Sequence, residues 1–311
     1  MKNSNLHKAK TEKNDEFYTQ LSDIEKELKH YKEHFKGKVV FCNCDDPEWS
    51  NFWKYFELNF DFLGLKKLVS THFEKDKGSY KLEIIGDING DGKVTNKDII
   101  RTPLKQNGDF RSDEAIELLK EADIVVTNPP FSLFRDYISL LAEHNKKFIV
   151  VGNMNAITNK ECFKLIKENR MWLGMNYIKE FLKPDGTIQK FGNINWFTNL
   201  EHKKRNEELI LYRIYNETDY PTYENFDAIN VNKVKDIPVD YFGVMGVPVS
   251  FLDKFNPNQF EIIWQASGNT RASAPKEILE LLNYRKHSED RGGCGIVNGK
   301  RAYSRILIKR K

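Results

Sequence analysis

The stretch Asp123-Ile-Val-Val-Thr-Asn-Pro-Pro-Phe131 decides the fold. Ile124–Thr127 is short, apolar and rich in β-branched residues, which fits a strand buried on both faces. An amide, two prolines and a phenylalanine then stand where that strand must stop. On either side, Ser112–Ala122 and Phe131–Asn145 read as helices, followed by a strand at Phe148–Gly152, a helix at Asn159–Asn169 and a strand at Met171–Gly174. Upstream, Lys38–Asn43 and Leu65–Phe73 read as strands. A helix over 21–35 aligns Ile24, Leu28, Tyr31 and Phe35 on one face, with Ser22 or Asp23 as its cap. Asp46 and Pro47 are expected to open a further helix through Trp49, Phe52, Trp53 and Phe56. Strands alternating with helices predict an α/β fold with a parallel, doubly wound sheet.

Past residue 180 the texture changes. FGNINWFTNL (191–200) and ELILYRIYNE (208–217) read as antiparallel strands, and a Tyr-, Pro- and Asn-rich stretch follows at 219–260. The expected boundary is near residue 200, giving regions 1–200 and 201–311.

The composition narrows the function. A chain of 311 residues, 40% hydrophobic, can build a substantial core. No apolar run approaches the roughly 20 residues of a membrane span. The opening MKNSNLHKAKTEKNDE lacks the apolar middle of a signal peptide. Cysteines at 42, 44, 162 and 294 form neither a disulfide framework nor a zinc pattern, and the seven histidines are scattered. The expectation is a soluble cytoplasmic protein without metal. Residues 271–311 carry a net charge of +7 and the rest −3. A basic end on a mildly acidic body suggests a polyanion partner; a solvated basic tail is the competing reading.

In a doubly wound sheet, ligands bind beyond the carboxyl ends of the strands, where Asn128 stands. Pro129 and Pro130 remove two donors and fix φ, and the residue before a proline is pushed away from helix. The Asn128 amide oxygen and the Pro129 carbonyl are thereby presented together, able to accept both hydrogens of one NH₂ group. An aromatic amine such as adenine's holds its lone pair in the ring. Accepting both hydrogens favours a tetrahedral nitrogen and frees that pair to attack an electrophilic methyl group. Phe131 supplies a surface on which a base can stack. A plain proline turn needs neither the amide nor the ring.

Six stretches occur together and in order: DEFYTQ (Asp15–Gln20), FCNCDDP (Phe41–Pro47), GDFRS (Gly108–Ser112), NPPFSLF (Asn128–Phe134), FTNL (Phe197–Leu200) and DYFGVMGVP (Asp240–Pro248). As a set they resemble the EcoRI-type adenine-specific DNA methyltransferases over nearly the whole chain. The resemblance implies a Rossmann-like sheet that binds S-adenosylmethionine within residues 1–200, and a target-recognition region over 201–311. It implies that Asp15, Phe17 and Tyr18 wrap the methionine end of the cofactor. Cys42, Asn43, Cys44 and Asp45 would form the cofactor loop, which here has no glycine. Glu74 is the acid expected at the ribose, Asp109 the acceptor of the cofactor's adenine amine, and Phe110 the ring beside it. Asn128, Pro129, Pro130 and Phe131 would hold a target adenine flipped out of duplex DNA.

For the DNA, the candidates are Asn225, Asn230, Asn232, Lys233 and Lys235, interleaved with Tyr223 and Phe226, together with Arg301, Arg305, Lys309 and Arg310. The expected state is a monomer on double-stranded DNA. A cognate restriction endonuclease would share its site without a stable complex. Alternatives are an RNA adenine or protein-glutamine methyltransferase, which carry similar tetrapeptides, and a DNA-binding protein without turnover.

Asp87–Asp98 also matches a calcium loop, with Asp, Asn, Asp, Gly and Asp at positions 1, 3, 5, 6 and 12. The preferred reading is a hairpin tip, because Asn-Gly-Asp-Gly suits a tight turn between IIG and KVT.

Overall fold

The computed structural model describes residues 18–44, 46–74, 78–183 and 186–311. They fall into two compact units. One takes the chain to Ala156 and again Met171–His202; the other takes Ile157–Arg170 and Lys203–Lys311.

The first unit is a nine-stranded mixed sheet. Its strands are β1 (Tyr18–Thr19), β2 (Val39–Cys42), β3 (Lys67–Thr71), β4 (Tyr80–Ile84), β5 (Ile100–Pro103), β6 (Ile124–Thr127), β7 (Lys147–Asn153), β8 (Trp172–Leu182) and β9 (Ile188–Thr198). They lie in the order β1-β8-β9-β7-β6-β2-β3-β4-β5. The four inner strands β3-β2-β6-β7 are parallel, and the rest pair antiparallel. The chain runs from β2 outward to β3, then returns across β2 to β6. Open α/β sheets bind ligands at such a reversal, here the carboxyl ends of β2 and β6.

Every residue of β2 and β6 is buried, as the unbroken apolar runs require. Val40, Cys42, Leu68, Ile124, Val126, Ile149 and Val151 pack in one cluster with Ile24, Leu28, Phe35, Phe52, Trp53 and Phe56. Their alternates Phe41, Val69, Val125, Phe148 and Val150 are buried on the opposite face. There the helix Asp113–Glu121 covers β2 and the helix Phe134–Glu143 covers β7. Ser112 caps the first of these through Ala115 N–H. A Cβ at Gly152 would meet the Phe134 ring at 2.3 Å, so glycine sets how closely the second approaches β7.

Three expectations change. The helix after β2 starts at Asn51, because Ser50 Oγ accepts the Phe52 and Trp53 N–H groups, whereas Asp46 and Pro47 sit in a preceding turn. Residues 208–217 form no strand despite their alternation. Arg213 makes an isolated parallel bridge with Pro238 that does not extend into a ladder, Leu209 bonds the Gln259 side chain in both directions, and Ile210, Tyr212 and Ile214 point outward. The β4–β5 hairpin pairs Tyr80 with Pro103, so residues 93–95 are loop, not strand. Asp87 and Asp98 fold that loop by accepting backbone N–H groups, from Gly90 and Gly92 and from Ile88, Asn89 and Thr95.

The second unit has a four-stranded sheet from β10 (Ile229–Asn230), β11 (Met245–Pro248), β12 (Phe260–Ala266) and β15 (Arg305–Arg310), ordered β10-β11-β15-β12. β13 (Ile296–Val297) and β14 (Lys300–Arg301) make a separate hairpin. Ile306, Leu307 and Ile308 are buried, so residues 305–310 are an interior strand and not a solvated tail. The helix Lys160–Lys167 belongs to this unit, with Phe163 edge-on to Trp264 at 5.4 Å.

Candidate active site

Parallel pairing of Val40 with Ile124 and Phe41 with Val125 puts the ends of β2 and β6 side by side. The Cys44 N–H then donates to Thr127 Oγ1 at 3.2 Å. This bond ties the expected cofactor loop to the residue before Asn128. Asn43 is buried, and its Oδ1 accepts from the Tyr137 hydroxyl and from the Cys44 thiol. Its Nδ2 is buried without a partner. An unmet buried donor costs about 1–3 kcal/mol, so this amide suits a ligand acceptor. Cys42 is fully buried in β2, and its carbonyl accepts from Ser70 Oγ at 2.6 Å.

Past β3 the wall is built by close approach. Gly108 has φ +75°, and a Cβ there would lie 2.1 Å from the His72 carbonyl oxygen, so only glycine fits. Glu74 N–H donates to the Asn107 carbonyl at 3.0 Å. Together these hold Asp109 and Phe110 beside the end of β3. Arg111 grips Asp109 with two bonds of 2.9 and 2.7 Å and holds its carboxyl below the ordinary carboxylate range. The role expected for Asp109 therefore has a competitor within the chain. Phe110 is buried, with the Tyr137 ring edge-on at 5.0 Å.

Sequence reasoning missed a layered group beside this wall. His72 stacks on Tyr80 at 4.8 Å and lies 3.5 Å from the Asp46 carboxylate. Arg101 sits 3.6 Å from the Tyr80 ring centre and bonds Glu48 at 2.8 Å. The Tyr80 hydroxyl, then Arg101, lower the Glu48 pKa.

Asn128 and Pro129 are buried at the end of β6. Pro130 closes a short 3₁₀ turn by accepting the Leu133 N–H at 2.9 Å, and the helix Phe134–Glu143 follows. Phe131 stands edge-on to Phe181 and Phe191 at 6.2 and 6.0 Å. Neither phenylalanine was foreseen. They arrive because β8 is eleven residues long and shifts register twice against β9. Tyr18 pairs with Leu182 in β1, next to Phe181, and Asn51 Nδ2 donates to the Thr19 carbonyl at 2.8 Å. Asp15, Phe17 and Asp45 lie outside the described residues.

In the second unit the candidates divide by exposure. Asn225 is fully buried, donating to the Cys294 carbonyl at 2.8 Å and accepting from Ile296 N–H at 2.9 Å. Asn230 is buried too; it accepts from the Tyr223 hydroxyl and Arg305 and donates to Asn232. Tyr223 and Phe226 are core residues. Lys309 and Arg310 are half-buried on β15, with Arg310 4.9 Å from the Phe242 ring centre. Asn232, Lys233, Lys235 and Arg301 are exposed, as are Lys300 and Tyr303, which the sequence did not single out. Among the described residues, no cluster of His, Cys, Asp or Glu is placed to hold a metal ion, and no helix is long and apolar enough to cross a membrane.

Comparison with known proteins gives a consistent result. The family model described as adenine-specific methyltransferase EcoRI matches residues 5–311. The chain is 46% identical to the Type II methyltransferase M.EcoRI of Escherichia coli, covering 99% of this chain and 97% of that protein. It is 43% identical to the Type II methyltransferase M.MpnI of Mycoplasma pneumoniae, over 98% of each chain. It is 39% identical to the Type II methyltransferase M.MgeORF184P of Mycoplasma genitalium, again over 98% of each. No solved structure matches significantly.

Proposed function

The chain belongs to the EcoRI family of adenine-specific DNA methyltransferases, and from that premise we propose that it methylates the exocyclic N6 amine of adenine at one site in duplex DNA, using S-adenosylmethionine. The observation that carries this reading is the junction of β2 and β6. It sets the Asn43–Cys44 loop, with its unmet buried Nδ2 donor, one bond away from Thr127-Asn128-Pro129. The loop and the Asp109–Phe110 wall fit a nucleoside carrying an amino-acid end. Bound there, S-adenosylmethionine supplies a methyl group on a positively charged sulfur.

The protein's own work is positioning. The Asn128 amide oxygen and the Pro129 carbonyl accept the two amine hydrogens, releasing the lone pair from the ring; Phe131 backs the flipped base. The amine would gain its bond to the methyl carbon as the carbon–sulfur bond breaks, the electron pair of that bond staying on the now neutral sulfur, and would give up one proton to solvent. Bringing the two reactants together in this geometry supplies most of the rate. Asn232, Lys233, Lys235, Lys300, Arg301 and Tyr303 form the exposed set that suits DNA contact. The enzyme acts as a monomer within a restriction-modification system whose endonuclease reads the same site.

Sequencing of modified bases in DNA from cells expressing the chain tests this. The expected result is N6-methyladenine at a single recurring sequence. Methylation confined to RNA or to protein glutamine would replace the reading with one of those alternatives.

A further inference from the structure

We propose that Tyr137 is a positioning residue for the cofactor: it turns the Asn43 amide so that the Nδ2 amino group donates to the carboxylate of the amino-acid end. The inference rests on the cofactor reading above and adds what fixes that end in place.

Three separate pieces of the site meet at this tyrosine. It rises from the helix that follows Asn128-Pro-Pro-Phe131, and it is fully buried. Its hydroxyl donates to Asn43 Oδ1, on the loop after β2. Its ring takes Phe110 edge-on at 5.0 Å. Burial raises its pKa well above the ordinary phenol value, so the hydroxyl keeps its proton and remains a donor.

An asparagine amide has one acceptor end and one donor end, and turning it over exchanges them. Here two donors, the Tyr137 hydroxyl and the Cys44 thiol, converge on Oδ1. Oδ1 is thus the engaged end, and Nδ2 is left buried with hydrogens to give. A glycine-free loop has fewer routes for backbone N–H groups to approach an anion closely, and a side-chain donor fills that need. The amino-acid end is the part concerned because Cys44 is bonded to Thr127, adjacent to Asn128, where the methyl group must lie. Phe110, by contrast, marks the adenine end.

Calorimetric titration of the full chain with S-adenosylhomocysteine and with 5′-methylthioadenosine, which lacks the amino-acid end, separates the possibilities. Tyr137→Phe keeps the ring against Phe110 and removes only the hydroxyl. It is expected to weaken S-adenosylhomocysteine about tenfold, roughly 1.4 kcal/mol, while 5′-methylthioadenosine binds as it does to the parent. In turnover, KM for the cofactor should rise more than kcat falls. Asn43→Ala should show the same split, and the double variant should be no weaker than Asn43→Ala alone. Asn43→Asp keeps the acceptor for Tyr137 but sets a carboxylate against a carboxylate; it should lose affinity on the order of 100-fold for S-adenosylhomocysteine only. Equal losses for both ligands would mean that Tyr137 merely supports the fold, and would overturn the proposal. Parent-like binding of S-adenosylhomocysteine by both Tyr137→Phe and Asn43→Ala would overturn it as well. A parent chain that binds neither compound would remove the cofactor reading itself.

Discussion

Two buried asparagines, one in each unit, look alike in the sequence and do opposite things. Asn225 has both ends of its amide satisfied inside the fold, by the Ile296 N–H and the Cys294 carbonyl. Asn43 has its oxygen fixed by Tyr137 and its nitrogen left unmet. The first amide substitutes for missing secondary structure in an irregular stretch; the second, on the proposal above, serves the cofactor. A buried polar group with an unmet valence calls for an explanation that a satisfied one does not.

The largest expected effect breaks the comparison on the catalytic side. Asn128→Ala should lower methyl transfer to a duplex by more than about 10²-fold, because the acceptor that orients the amine is gone. S-adenosylhomocysteine affinity, read by calorimetry, should stay near the parent's. Turnover close to the parent's would take Asn128 out of the reaction. On the structural side, Asn225→Ala leaves a buried N–H and a buried carbonyl unmet and should destabilise the protein by roughly 2–4 kcal/mol. Thermal unfolding checks it, and the surviving folded protein should keep the parent's site preference. A relaxed preference at full stability would make Asn225 a base reader instead.

A smaller effect concerns the exposed cations. Replacing Lys233, Lys235, Lys300 and Arg301 by glutamine should flatten the salt dependence of duplex binding by about 0.9 for each phosphate no longer neutralised. An unchanged slope in fluorescence anisotropy would move the DNA to another face. Asp109→Asn should weaken S-adenosylhomocysteine modestly, by about five- to tenfold. Arg111 lowers the folded pKa of Asp109, so the stability this carboxylate contributes is present above its unfolded value. It is lost only as pH falls through the lowered one. Cofactor affinity that depends on its charge should therefore be level between about pH 8 and pH 5. The smallest expected effect is none: calcium or a chelator should leave the melting temperature unmoved, since backbone N–H groups already occupy Asp87 and Asp98.

Much of the first unit was legible because its signals are local. Ile124–Thr127 is a strand in the structure over the same four residues, since a β-branched run between Asp123 and Pro129 has no other stable use. The strand order puts Asn128 at a strand end beside the loop after β2. Tyr137, Phe181 and Phe191 were not legible. Tyr137 reads as an ordinary apolar position of its helix, and the two phenylalanines depend on register shifts that no spacing announces. In the second unit Asn225 and Asn230 turned out buried, because Asn serves turns and base edges with the same side chain. Residues 208–217 misled for a related reason: alternation gives a strand its faces but not its neighbour.

The place of residues 305–310 between β11 and β12 has a consequence for synthesis. Both neighbouring strands are translated earlier, and until β15 emerges from the ribosome each lacks its partner on that side. At about 5–20 residues per second, the sixty-odd residues from β11 to β15 represent several seconds during which that half waits unzipped. Every residue of the first unit has been translated by His202, so the nascent chain can begin to fold it while the other half is still being made. A message truncated before residue 305 would yield a chain that holds every residue of the first unit but cannot close the sheet of the other.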